Sequence, residues 1–122
     1  RAELKPDAWW PAVAQGAIAV ESLAAKPEIT ALFVALNDKP TELRVRAERA
    51  MNKALHGSCQ VPVAAYAEIH GDEMRLTGWV GDATNIRSIS ANAEGPAREP
   101  ETLGHNVADM LFAQGAAELL NI

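Results

Sequence analysis

Three short runs of alternating apolar and polar residues follow one another in the chain, in residues 60–70, 74–80 and 86–93. Alternation with a period of two is typical of strands that bury one face. Short polar segments separate the runs, at Gly71–Glu73 and at Gly81–Asn85. Strands joined by such short turns pair with their neighbours, so we predict a three-stranded antiparallel meander.

Helical periodicity flanks the meander on both sides. Apolar residues recur three and four positions apart from about Thr41 to Leu55 and from about Glu101 to Leu120. We expect Thr41 to cap the first of these helices and Gly57 to end it in a left-handed conformation. Because an amphipathic sheet needs cover on its apolar face, residues 38–122 are predicted to form an α+β domain, a three-stranded antiparallel sheet covered by helices.

The residues before this domain follow a different pattern. A run of small apolar residues from Ala12 to Val20 predicts a buried strand. Gly16 interrupts this run and allows a bend, so residues 11–21 are interpreted as a short strand or turn followed by a second strand. Residues 27–37 predict a helix with an apolar face, and the polar break that follows marks a domain boundary. A buried strand needs neighbours on both sides, and few other strand candidates lie near it. We therefore interpret this strand and helix as part of a larger fold.

Composition excludes several functions. The formal net charge is −5, which argues against a nucleic-acid partner. The chain contains no apolar run long enough to span a membrane, so no membrane partner is expected. Its three histidines and one cysteine lack the spacing of a metal site. A single cysteine fits a reducing compartment, which predicts a cytoplasmic protein.

Cys59 is the only cysteine, and it lies between the first predicted helix and the first predicted strand. Most lone cysteines are inert core residues. Cys59 follows a helix C-terminus, whose negative end does not favour a thiolate. This position fits a thiol that anchors a group once better than a turnover nucleophile. Two alternatives stay open: a non-enzymatic α+β module with a structural cysteine, and a thiol hydrolase that uses His56 as its base.

The first helix also carries several arginines. Arg44, Arg46 and Arg49 alternate with Glu42 and Glu48. A solvated helix face with local ion pairs explains this pattern better than an anion-binding site does.

Two segments of the chain resemble one family. Residues 11–21, with the sequence PAVAQGAIAVE, are similar to a segment of hydroxymethylbilane synthase, which is also called porphobilinogen deaminase. Residues 46–51 (RAERAM) and 55–68 (LHGSCQVPVAAYAE) are similar to a second segment of that family. Residues 103–120 resemble its closing helix, so the likeness runs in order through nearly all of residues 11–120.

The resemblance implies a transferase of haem biosynthesis. In this family the cysteine that matches Cys59 carries a dipyrromethane cofactor through a thioether. The cofactor is assembled from porphobilinogen, and it primes the addition of four more porphobilinogen units with loss of ammonia. Gln15 and Gly16 match a family segment beside the cofactor cleft, so both are candidate cofactor-binding residues.

The resemblance also implies a three-domain protein. Residues 1–15 would end domain two, residues 16–37 would cross back to domain one, and residues 38–122 would form domain three. The catalytic residues of the family belong to the remaining domains, so no catalytic residue is expected in this chain, and the chain alone is expected to be inactive. Porphobilinogen carries two carboxylates, so its polymer needs a basic cleft that an acidic chain does not supply. The parent protein is expected to be a monomer.

Two positions depart from the family pattern. Ala14 and Ser58 stand where the family usually has glycine. If either position requires a positive φ, a side chain there introduces backbone strain.

Overall fold

Three strands form one antiparallel sheet in the order β1 (Val63–His70), β2 (Glu73–Gly81) and β3 (Ser88–Pro96). The computed structural model that shows this sheet describes residues 1–6, 8–56, 61–82 and 87–122. A tight turn joins β1 to β2 at Gly71, whose φ of 64° is a conformation that glycine adopts without steric cost. The predicted meander is therefore confirmed.

The sheet buries one face. On β2 the predicted inward residues Met74, Leu76, Gly78 and Val80 are all buried, whereas Arg75 between them is exposed. Two long helices, α2 (Lys39–Ala54) and α3 (Pro100–Ala113), pack on this face, and the short helix α4 (Ala116–Leu120) follows. This arrangement confirms the α+β class. The fully buried side chains of the helices that form the core with β2 include Ala47, Met51, Leu55, Val107, Ala108, Leu111 and Ala116.

The beginning of α2 differs from the prediction. The helix begins at Lys39, and Asp38 is its N-cap. Asp38 Oδ2 accepts a hydrogen bond from the Thr41 backbone N–H at 3.0 Å. The prediction that Thr41 caps the helix is therefore wrong, because Thr41 supplies the donor that the cap satisfies.

The end of α2 falls close to the predicted position. Ala54 is its last residue and Leu55 its C-cap. His56 follows with a φ of 53°, so a left-handed residue does come after the C-cap. Gly57, the predicted stop, lies outside the described residues.

Two later boundaries also shift. The predicted helix from Glu101 to Leu120 is divided into α3 and α4 by Gly115, whose φ of 97° interrupts the helical backbone. The third strand occupies Ser88–Pro96 instead of the predicted 86–93, and Ile86 lies outside the described residues.

The prediction of a buried strand from Ala12 to Val20 is wrong. Ala12 forms one isolated bridge with Ala64, and residues 16–20 are exposed, with Ile18 at 95%. Positive φ values at Ala14 and Gly16 turn the backbone away from an extended path, and no strand among the described residues flanks the run after Ala12.

The predicted helix over residues 27–37 is shorter than expected. The helix α1 (Pro27–Phe33) passes into a 3₁₀ turn at Val34–Leu36. Neither element buries a residue, and Leu32 and Leu36 are each 71% exposed. The apolar face predicted for this helix therefore has no cover in the described chain.

Two acidic residues in and before the first turn of α2 make this helix sensitive to acid. Hydrogen bonds from the Thr41 side chain and backbone lower the pKa of Asp38. Hydrogen bonds from Lys39 and Asn37 lower the pKa of Glu42 from 4.5 to about 2. Because both pKa values are depressed in the folded chain, their stabilising effect is present above the ordinary carboxyl range and is lost as the pH falls from about 4.5 toward 2.

We therefore expect Asp38→Ala to lower the midpoint of thermal unfolding at pH 7 and to flatten its dependence on pH between 4.5 and 2. Asp38→Asn is the matched control, because asparagine keeps an oxygen that caps a helix equally well. Circular dichroism of the three proteins at pH 7 and pH 3 measures both effects. An Asp38→Ala protein that melts like the Asp38→Asn protein at pH 7 would contradict the assignment of the cap.

Candidate functional site

Two consecutive backbone turns shape residues 11–17, which we call the 11–17 turn. The Gln15 N–H donates to the Ala12 carbonyl at 3.0 Å, and the Ala17 N–H donates to the Ala14 carbonyl at 3.1 Å. Ala14 has a φ of 58° and Gly16 a φ of 92°. The strain predicted at Ala14 is confirmed, because alanine in this conformation costs about 1 kcal/mol more than glycine. Ser58 lies outside the described residues.

The turn presents Gln15 and Gly16 to solvent. Gln15 Oε1 accepts a hydrogen bond from the Ala12 N–H at 2.8 Å, which fixes the carboxamide against its own turn. Its Nε2 has no partner among the described residues and faces solvent as a free donor. At Gly16 no heavy atom lies within 4 Å of the place that a Cβ would occupy, so another group can approach the backbone closely.

Glu48 connects this turn to the α+β domain. Its side chain leaves α2 on the core side, and the residue is only 7% exposed. Glu48 Oε2 accepts from the Ala14 N–H at 2.7 Å, and Oε1 accepts from the Ala67 N–H at 2.9 Å. Burial raises the pKa of Glu48, while the two backbone donors and the charge of Arg44 act in the opposite direction.

Glu48 was not among the predicted site residues, because its neighbours Arg44, Arg46 and Arg49 place it in a charged stretch that is typical of an exposed helix face. A signal was present. Glu48 stands three residues before Met51 and seven before Leu55, so it shares the side of α2 that carries these two buried residues.

The 11–17 turn is docked along the outer edge of β1. The Ala65 N–H donates to the Pro11 carbonyl at 3.3 Å, next to the bridge between Ala12 and Ala64. Two residues further along β1, the Ala67 N–H donates a hydrogen bond to Glu48. Two backbone donors on this edge, those of Ala65 and Ala67, are therefore satisfied by the turn and by Glu48.

A small cavity of about 200 Å³ lies behind the turn. The cavity lies between the 11–17 turn on one side and α2 and β1 on the other. Its lining includes Gln15, Gly16, Arg44, Glu48 and Tyr66.

An open cleft of about 1100 Å³ lies between residues 16–20 and α2. Gly16 lines one part of it, and Lys53, in the last turn of α2, lines another. Arg46, also in the lining, is paired with Glu101 at 2.6 Å and with Glu42 at 3.2 Å, as the ion-pair interpretation of this helix predicted.

Lys39 is also paired with Glu42, at 2.9 Å, whereas the remaining basic residues of α2 are less constrained. Arg44 donates to Thr41 Oγ1 at 3.0 Å. Arg49 and Lys53 line the cleft and form no ion pair with the described residues. These two cations are therefore available to an anionic group in the cleft.

Cys59 lies outside the described residues, in the connection between the end of α2 at Ala54 and the start of β1 at Val63. The structure thus brings Gln15, Gly16 and α2 together, and the position of Cys59 relative to them stays a prediction. Within the described ranges no three His, Cys, Asp or Glu side chains cluster as metal ligands. No helix in that part of the chain has both the length and the apolar character needed to cross a bilayer.

Residues 42–113, well over half of the chain, match a family model described as the C-terminal domain of porphobilinogen deaminase. The chain belongs to the porphobilinogen deaminase family. The matched region of this family runs from the first turn of α2 to the end of α3, so it contains the whole sheet, Glu48 and Cys59. Gln15 and Gly16 precede it.

Curated relatives of this chain are named porphobilinogen deaminase. A porphobilinogen deaminase of Stenotrophomonas maltophilia (strain K279a) is 53% identical over 99% of the chain, and one of Xanthomonas axonopodis pv. citri (strain 306) is 50% identical over 98%. The alignments cover 40% and 39% of these two relatives. The chain therefore spans about two fifths of the length of the porphobilinogen deaminases that it matches.

Proposed function

We propose that this chain is the C-terminal portion of a hydroxymethylbilane synthase and that Cys59 anchors its dipyrromethane primer. The observation that carries the proposal is the match of residues 42–113 to the C-terminal domain of porphobilinogen deaminase, together with relatives of that name along almost the whole chain. The parent protein polymerises four porphobilinogen units on the primer and releases ammonia. Its place is the cytoplasm, in line with a single cysteine.

The anchoring step is chemically balanced. The Cys59 sulfur forms a bond to the aminomethyl carbon of one porphobilinogen, and the carbon–nitrogen bond of that unit breaks. The thiol proton leaves with the amino group as ammonia. A second porphobilinogen joins the free pyrrole carbon of the first in the same way, so the adduct equals two porphobilinogen units minus two molecules of ammonia.

The residues near the cleft suit a cofactor that carries carboxylates. Gln15 Nε2 has no partner in the part of the chain that the structure describes, and Gly16 leaves its backbone open to close approach. Arg49 and Lys53 add two cations without ion-pair partners among the described residues. We assign Gln15 and Gly16 to the wall of the cofactor cleft, and Cys59 to its covalent attachment.

The exposed N-terminal part supports a division of the chain among domains. Ile18, Leu32, Val34 and Leu36 are each more than two-thirds exposed, and α1 buries no residue. A short helix with an exposed apolar face needs a packing partner. We assign residues 1–15 to the end of domain two, 16–37 to a segment that returns to domain one, and 38–122 to domain three. The remaining domains of the same enzyme are then the partner of this surface.

Catalysis is assigned to those remaining domains. The chain has a net charge of −5, whereas a polymer of porphobilinogen needs a strongly basic cleft. The 122-residue chain alone is accordingly expected not to consume porphobilinogen.

A chimera tests the proposal. The aligned 40% of the Stenotrophomonas relative is replaced by this chain, and the purified protein is analysed by intact mass spectrometry and by consumption of porphobilinogen. We expect an active enzyme with a covalent adduct of two pyrrole units on the peptide that contains Cys59. In Cys59→Ser we expect no adduct and a loss of activity of at least about 100-fold, because the primer has no attachment.

The unaltered Stenotrophomonas enzyme serves as the positive control, and circular dichroism shows that each chimera is folded. An active chimera whose Cys59 carries no adduct would refute the anchoring role. That result would favour the alternative in which Cys59 is only a structural residue of a small α+β module.

A further inference from the structure

Glu48 is the buried acid of α2, and both of its oxygens accept backbone N–H groups from segments outside that helix. One donor belongs to the 11–17 turn and the other to β1. From this bridge we infer that Glu48 is a positioning residue, which fixes the 11–17 turn, and with it Gln15 and Gly16, against the sheet.

The bridge requires a group with two acceptor oxygens. An ionised carboxylate accepts at both oxygens and donates at neither. Glutamine has the same size but only one acceptor, and its NH₂ group would face one of the two N–H donors. Aspartate keeps two acceptors on a side chain that is one methylene shorter. Any of these changes leaves a backbone donor of the bridge without a good partner.

The turn needs this support because its backbone is strained. Ala14 has a φ of 58°, which alanine rarely adopts. The N–H of this same residue makes the 2.7 Å bond to Glu48. The contacts with the sheet at Pro11 and Ala12, namely the 3.3 Å hydrogen bond from the Ala65 N–H to the Pro11 carbonyl and the bridge to Ala64, lie at the start of the turn.

Beyond Ala14 the chain leaves the domain. Residues 15–20 are exposed, and no heavy atom lies within 4 Å of the place that a Cβ on Gly16 would occupy. Of these contacts between the described residues of the turn and the α+β domain, the bond from Ala14 to Glu48 is the last along the chain before Gln15 and Gly16. Because these two are the candidate cofactor-binding residues, loss of the bridge would release them from a fixed position.

The test uses the amides of Gln15 and Ala17. Their hydrogen bonds close the two turns, and neither amide touches Glu48. We expect Glu48→Gln in the 122-residue chain to speed hydrogen exchange at both amides by about tenfold or more, measured by NMR. Glu42→Gln is the matched control, because Glu42 is a half-buried carboxylate of the same helix whose partners are Asn37, Lys39 and Arg46, and it should leave both amides unchanged.

A second substitution distinguishes a role of Glu48 in fixing the turn from the simple loss of a hydrogen-bond acceptor. Glycine adopts a positive φ without cost, so the turn should form without Glu48 when Ala14→Gly is present. In that background we expect Glu48→Gln to change exchange at Gln15 and Ala17 by no more than about threefold. If Glu48→Gln does not fold, Glu48→Asp gives the same comparison.

Either of two results would overturn the inference. If Glu48→Gln changes exchange only at the amides of residues 14 and 67, Glu48 satisfies two donors but does not fix the turn. Unchanged exchange at every one of these amides would refute the bridge itself.

The consequence for catalysis rests on the proposed function and is tested separately in the chimera. We expect the chimera with Glu48→Gln to carry the adduct on Cys59 but to have a kcat about tenfold lower than that of the parent chimera. If the parent chimera has no adduct, the proposed function fails, whereas the exchange measurements on the 122-residue chain still decide the role of Glu48.

Discussion

Gly104→Ala is expected to lower the free energy of unfolding by about 3 kcal/mol. At Gly104, α3 packs directly against the backbone of α2. A Cβ at this position would lie 2.5 Å from the Ala47 carbonyl oxygen, 2.7 Å from the Ala50 Cβ and 2.9 Å from the Met51 nitrogen. Two of these atoms belong to the backbone of α2, so the methyl group fits only if the two helices separate. The gain in helix propensity, about 1 kcal/mol, does not offset this cost.

Urea denaturation at pH 7 measures the difference. Gly95→Ala is the matched control, because the nearest atom to its added Cβ is Leu103 Cδ1 at 3.8 Å, an ordinary contact distance. We expect that control to stay within about 1 kcal/mol of the parent chain. A Gly104→Ala chain that is as stable as the parent would show that α2 and α3 are not packed as closely as described.

Leu111→Ala is expected to destabilise the chain by about 2–5 kcal/mol. The Leu111 side chain is completely buried, and its Cδ1 lies only 3.0 Å from the place that a Cβ on Gly78 would occupy. Together with Met51 and Val107 it fills the space that the glycine leaves on β2. Removal of three carbon atoms from this position creates a cavity between α3 and the sheet, and rigid helix packing prevents its collapse.

The neighbouring residue provides the control. Met110 precedes Leu111 on the same helix but is 43% exposed, so Met110→Ala should cost less than about 1 kcal/mol. Chemical denaturation of both variants gives the comparison. Equal losses in the two variants would contradict the assignment of α3 faces.

Local patterns predicted the domain well because its elements bury one another. The alternation over residues 74–80 predicted a strand with one buried face, and Met74, Leu76, Gly78 and Val80 are indeed buried. Helical spacing from Thr41 to Leu55 predicted an amphipathic helix, and its core side carries Ala47 and Met51. The strand period of two and the helical period of about 3.6 each arise because the element buries one face. The elements that cover these faces all lie within residues 38–122. The tight contact at Gly104 could not be predicted, since spacing within α3 carries no information about its distance from α2.

The N-terminal part shows why the same reasoning failed there. The apolar run ending at Val20 predicted burial, yet Ile18 and Val20 are exposed, because burial depends on a partner that the described chain does not supply. The site was predicted only in part. The motif around Gln15 and Gly16 identified the turn, whereas Glu48 was missed because a carboxylate within an arginine-rich helix resembles an exposed ion-pair residue.

The docked turn also has a consequence for the solution behaviour of this domain. β1 is an outer strand, and unpaired donors on an outer strand are a template for pairing with a second molecule. Pro11, Ala12 and the carboxylate of Glu48 occupy the centre of that edge. Residues 11–14 therefore protect this edge of the sheet. A shortened chain that begins at the α+β domain would leave the edge of β1 free to pair with a second molecule. In that chain the Glu48 carboxylate would also lose one of its two backbone donors.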